Sequence, residues 1–282
     1  MANKSPTMER PPFRAPASPD GLRRGLMDRA WPESGRVPVL SMAYAAGMGL
    51  FLAVEPTQPW VLLLLVALVG LGVDGIVRAH PRGEFRNPAD TAPFLFVPVL
   101  FTLGSGLFFE ELVEGYWNAP AVVAATVLFG VAVQAEYASV DVASPGHAGA
   151  RFALNILTYL TAFGFYSVVY SFDVALFPSA LAVGLVSLLL AVEVFREAEA
   201  DPVRTLVYAG ATGLIAGEMR WMLYFVPLEG FLAGVFLLLA FYLTSGLIHH
   251  HLIGHLDRAV ALEFALVTLA GLGIVILGGL SV

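Results

Sequence analysis

The sequence predicts an all-α fold, a polytopic integral membrane helix bundle with about nine transmembrane helices. Two observations carry that expectation. The chain of 282 residues is 58% hydrophobic and only 13% charged, far from the composition of a soluble globular domain. Its apolar residues also fall into nine continuous stretches, near 37–54, 58–78, 91–109, 119–137, 152–171, 175–195, 203–224, 227–248 and 260–281. Most approach the ~20 apolar residues that cross ~30 Å of hydrocarbon. The runs are continuous rather than alternating, which excludes a β-barrel, and only helices satisfy every backbone group within them.

The orientation follows from the bases. All but one of the fifteen Lys and Arg residues fall on one side when the chain is threaded through these stretches. The positive-inside rule then places the N-terminus in the cytoplasm and the C-terminus outside, with the protein integral to the cytoplasmic (cell inner) membrane. The first thirty residues lack an apolar signal core, so the first stretch is expected to act as the insertion signal.

Two regions result. Residues 1–36 read as a disordered basic cytoplasmic tail, with a short amphipathic helix near 20–31 (DGLRRGLMDRAW) suited to the inner leaflet. Residues 37–282 form the transmembrane domain. Within it, Asn87-Pro88 and Asp201-Pro202 place an N-cap before a proline, starting the third and seventh stretches. Short connections around Glu55–Pro59 and Val226–Gly230 predict tight antiparallel hairpins.

The seventh stretch is the least ordinary. Ala209, Gly213 and Gly217 recur every fourth residue, a small-residue stripe that admits another helix backbone closely. It is therefore expected at the centre of the bundle. Glu218 and Arg220 lie two residues apart, on nearly opposite helix faces, so they do not pair with each other. Arg220 is the base on the outer side, and its expected partner is Glu229, Glu114 or Glu110. Charge at such depth marks a functional candidate.

All six histidines map to the cytoplasmic side. His251 and His255 have the i,i+4 spacing of two ligands on one helical face, and with His250 and Glu263 they form a candidate site for a divalent metal such as zinc or iron. Gly254 between them is a candidate helix break. The single HxxxH resembles a box of the membrane di-iron hydroxylases and desaturases, but those use several boxes and more histidines than this chain has. Asp74, Glu136, Glu193 and Glu263 sit near the inner ends of their stretches, and Asp74 precedes Arg78 by the four residues of an intrahelical ion pair.

Several classes are excluded. The lone lysine, Lys4, lies in the tail, so there is no Schiff-base site for retinal. No basic, aromatic-interleaved surface supports nucleic-acid binding, and the absence of cysteine removes thiolate chemistry. Three readings remain. The first is a permease-like carrier of a small molecule or lipid, with a polar path through Glu218, Arg220, Asn155 and the inner carboxylates, and needing no cofactor. The second is a non-catalytic subunit or assembly factor of a membrane complex, partnered by other membrane subunits. The third is a metal-dependent membrane enzyme acting on lipid at the inner leaflet. The balance leans away from an enzyme.

Overall fold

The computed structural model describes residues 35–113, 115–172, 175–199, 201–226, 228 and 230–280. Residues 1–34, which hold nearly all of the expected basic tail and the helix expected near 20–31, lie outside the described residues, as do Glu114 and Glu229. Among the described residues the fold is helical throughout, with no strand. Among the described residues nine long helices coincide with the nine apolar stretches: α1 (Arg36–Ala53), α2 (Pro59–Arg78), α3 (Pro93–Leu112), α4 (Asn118–Ser139), α5 (His147–Ser171), α6 (Leu176–Phe195), α7 (Pro202–Leu223), α8 (Gly230–Leu252) and α9 (Arg258–Leu280). Eight of them are long and apolar enough to cross a membrane; α7 is not among the eight. The stretch singled out for its charges is thus the least membrane-like of the nine, because Arg204, Glu218 and Arg220 dilute its apolar content.

Local chemistry sets the helix starts. Asn87 and Asp90 form a reciprocal capping box, with Asp90 accepting from the Asn87 and Arg86 amides at 2.8 and 2.9 Å. Those two amide bonds hold the Asp90 carboxyl below its usual range. The box begins only a single turn, Pro88–Thr91, and α3 proper starts at Pro93. At α7 the expected cap is present, Asp201 accepting from the Val203 amide at 2.9 Å.

The helices alternate in direction. At one end, Asp74 and Arg78 of α2 meet Thr91 ahead of α3, and Arg196 after α6 lies over the Phe94 ring of α3. Arg151 near the start of α5 reaches Glu193 near the end of α6. We call this the basic end. At the opposite end, Thr57 before α2 donates to Glu110 of α3, and Tyr170 of α5 reaches Leu223 of α7. Outward-facing side chains are apolar along the helices, among them Leu63, Leu71, Leu181, Leu185, Leu266 and Leu277, each more than half exposed. That surface suits lipid rather than water.

The centre of the bundle is α5, not α7. Helix α5 contacts α3, α4, α6 and α8 and buries residues along its length from Ala150 to Val169. Helix α7 packs against α6 and α8 and exposes Val203, Leu206, Val207 and Leu214. The expectation of a central seventh helix is therefore corrected. Its small-residue stripe serves one neighbour, α6, in the most extensive helix contact of the bundle.

That contact is backbone on backbone. A Cβ on Gly213 would stand 2.5 Å from the Gly184 carbonyl oxygen, and one on Gly217 would stand 3.1 Å from that of Ala180. Gly210, one turn away from the seam, has nothing within 4 Å of its would-be Cβ. Gly213→Leu is expected to force α6 and α7 apart and to destabilise the protein by about 1–3 kcal/mol, whereas Gly210→Ala is tolerated. Thermal unfolding of the two purified variants in one detergent checks this.

Candidate functional site

Two charged sites stand out, one at each end of the bundle. At the basic end, three buried ionisable side chains from three helices meet a fourth, Arg196 just beyond α6, whose side chain is 14% exposed. Glu136 of α4 is 0% exposed, Glu193 of α6 1%, and Arg151 of α5 6%. Arg151 donates through Nη1 to Glu193 at 2.7 Å and through Nε to Glu197 at 2.7 Å. Its Nη2 also reaches the Glu193 carbonyl at 3.0 Å. Arg196 Nη2 lies 2.8 Å from Glu136, 2.9 Å from Glu193 and 3.0 Å from the Ser139 hydroxyl. The Arg196 guanidinium stands 4.1 Å over the Phe94 ring, a cation–π contact.

Desolvating an ion in an apolar bundle costs several kcal/mol unless it is paired, and here every buried charge has an opposite partner. His147 lies 3.7 Å from Glu197 at the rim. Glu197, just beyond α6, feels burial pushing its carboxyl up, but the Arg151 hydrogen bond and the positive charge around it outweigh this and hold it below the usual range.

Glu136 and Glu193 were expected near this depth, and the structure joins them through Arg196. Asp74 instead pairs with Arg78 at 2.7 Å as its spacing predicts, and Glu263 is exposed on α9. In the sequence Arg151 and Arg196 read only as markers of orientation. The signal that identifies them is the carboxylates themselves: two Glu residues inside apolar stretches require two cations at their level.

The histidines do not converge. Gly254 takes φ +71°, and the His255 and Gly254 amides reach back to the His250 and His251 carbonyls, a Schellman ending for α8. His255 is thereby carried off the helix, so the i,i+4 pair with His251 does not form. Successive residues on α8 also fan out. His250 faces Phe264 of α9, and His251 faces Tyr208 of α7. Among the described residues no three His, Asp or Glu side chains gather as a metal would require.

At the opposite end, Arg220 of α7 is 5% exposed. Its guanidinium carbon lies 4.8 Å from the centre of the Tyr170 ring of α5, and the Tyr170 hydroxyl is shared between the Leu223 and Val226 carbonyls at 3.4 and 3.2 Å. Among the described residues no carboxylate pairs with Arg220. Glu110, one expected partner, accepts from Thr57 instead, and Glu229 and Glu114 lie outside the described residues. Glu218 is exposed on the other side of α7, as the two-residue spacing predicts, beside the groove between α6 and α7 that Gly184, Gly213 and Trp221 line.

Helix α5 links the two ends. His147, Arg151, Asn155, Tyr159, Tyr166 and Tyr170 recur at intervals of four or seven residues, one face of the helix. Tyr159 meets Ser245 of α8 at 3.3 Å, and Tyr166 meets Ser187 of α6 at 2.6 Å. The hydroxyls of Thr158, Thr161 and Ser167 are buried without hydrogen-bond partners. Asn155 of α5 and Arg220 of α7 are not joined by a hydrogen bond, and only Asn155 belongs to this polar face.

The family model described as "Protein of unknown function (DUF5656)" matches residues 41–278. The chain belongs to that family. The matched stretch covers α2–α8 whole, so both charged sites and the polar face of α5 lie within it. No curated protein matches the chain, and no solved structure does.

Removing one partner of the basic-end cluster is expected to cost more than removing two. Arg151→Met leaves Glu193 to share the single Arg196 guanidinium with Glu136 and lowers stability by about 3–5 kcal/mol; adding Glu193→Leu leaves the Glu136–Arg196 pair intact and recovers part of the loss. Thermal unfolding of both variants shows the non-additivity. The rim has a pH signature. Because the Glu197 carboxyl is depressed on folding, its contribution is present above the unfolded value and lost as pH falls through the folded one. The stability difference between wild type and Glu197→Gln should therefore shrink toward zero on acidification.

Proposed function

We propose that the protein is a multi-pass carrier of the cytoplasmic membrane that moves a small molecule or lipid along the polar face of α5. In this reading all nine helices cross the bilayer, the basic end is cytoplasmic and the C-terminus is outside. The observation that carries the reading is the α5 face itself. From His147 to Tyr170 it covers about 35 Å at 1.5 Å per residue, comparable with the ~30 Å hydrocarbon thickness. A helix at the centre of a bundle that served only as packing would be expected to be apolar, yet this one presents charges, an amide and hydroxyls at almost every turn. Polar groups inside a membrane bundle line up where something polar passes. The ionic cluster closes the cytoplasmic end of this face, in the manner of a gate built from pairs that can be exchanged.

A second reading, a non-catalytic subunit of a larger membrane complex, is favoured by α9. That helix packs on α8, buries Val275 and leaves Leu262, Leu266, Leu269 and Leu277 exposed, a whole helix face available to another subunit.

The chain contains no cysteine, so single substitutions report accessibility without background. Asn155→Cys, Thr158→Cys and Ala162→Cys are expected to react with a membrane-impermeant maleimide from at least one side of the membrane. Ile156→Cys, on the lipid-facing side of the same helix, is expected to stay unlabelled. If the three interior positions react only after denaturation, the core is dry and the carrier reading fails in favour of the subunit. The topology has its own test: tags at the two termini should be found on opposite sides of the membrane.

A further inference from the structure

We infer that Arg220 is the recognition group of an oxyanion site, for a carboxylate or phosphate, at the end of the bundle away from the basic cluster. The inference starts from a contrast. Arg151 is also buried and Arg196 is largely enclosed, and each meets at least two carboxylates. Arg220 is buried as deeply, at 5% exposed, and meets none among the described residues. Its Nε and Nη1 are both enclosed and without hydrogen-bond partners.

An uncompensated guanidinium in an apolar bundle is unfavourable, and it cannot relieve itself by losing its proton. The Tyr170 ring at 4.8 Å supplies quadrupole attraction from one face only and no acceptor for the in-plane N–H groups. What completes such a group is an anion in its plane, bound by charge-assisted hydrogen bonds. The surroundings hold the guanidinium ready. Tyr170 is pinned by its hydroxyl to the backbone after α7, so the ring that orients Arg220 is itself fixed. Glu218 two residues earlier faces outward and does not compete. Tyr224 and Phe225, just after α7, are 60% and 74% exposed, so this end of the bundle borders its surroundings.

That the oxyanion belongs to the transported molecule rests on the carrier reading; the binding site does not, and it is measured without transport. The full chain is reconstituted in nanodiscs under two conditions at constant ionic strength. One uses phosphatidylcholine with inorganic phosphate or acetate titrated in, and the other uses phosphatidylglycerol with neither added. Thermal midpoint and calorimetric titration are the readouts.

The expected result is stabilisation of wild type in one arm, which identifies a free anion or a lipid headgroup as the source. Arg220→Gln should weaken that binding by about tenfold or more, the loss appropriate to a charge-assisted pair. Where Arg220→Gln does not accumulate, Arg220→Lys serves, keeping the charge but not the donor geometry and binding measurably more weakly. Three results overturn the inference: no stabilisation in either arm, equal stabilisation of the variants, or restoration of Arg220→Gln to wild-type stability by adding Glu229→Gln. The last would mean that Arg220 is one half of an internal ion pair. Labelling of the α5 cysteines is unaffected by any of these outcomes, so the failure of this site and the failure of the carrier reading are separable.

Discussion

The buried ion pairs among Arg151, Glu193, Arg196 and Glu136 are the constraint on which the arrangement of the bundle depends. In an apolar environment packing alone discriminates weakly between one helix orientation and another, because lipid is as good a neighbour as leucine. A charge is different. An ionised Glu136 at 0% exposure is stable only where a cation meets it, and Arg196 does so from just beyond α6 at 2.8 Å. Arg151 then ties α5 to α6 at the same level. These contacts fix the rotation and depth of α4, α5 and α6 together. The rotation of α5 in turn decides that its hydroxyls face α6, α7 and α8 rather than lipid.

Much of the architecture was legible in the sequence because hydrocarbon imposes a length on each stretch and the bases report direction. Helix positions agree with the apolar runs to within a few residues, and the Asp201 cap and the Asp74–Arg78 pair follow from local spacing alone. The third helix began later than its N-cap suggested, since Pro93 restarts the chain after the Asn87 turn. The errors were of a different kind. A glycine stripe states that a close neighbour exists but not how many neighbours there are. The seventh helix therefore looked central when it is packed on α6 and α8.

The candidate sites were only half legible, for an equally physical reason. Sequence spacing relates residues on one helix, so it could separate Glu218 from Arg220 and raise Gly254 as a break. Pairings across helices, such as Arg196 with Glu136 sixty positions earlier, carry no spacing at all. The histidines show the converse. Consecutive His249, His250 and His251 look dense on paper, but a turn of 100° per residue on α8 distributes them among different neighbours.

The glycine seam between α6 and α7 has a mechanical consequence. Interlocked main chains have no rotamers through which one helix could slide past the other while the second stays still. Helix α6 carries Glu193, and Arg196 just beyond its end, at one face of the bundle, and α7 carries Arg220 at the other. The two helices therefore behave as a single lever. A shift of α7 as a rigid body would carry α6 with it, and with α6 the Glu193 carboxylate at the far end, some thirty ångströms away by the length of a helix of about twenty residues.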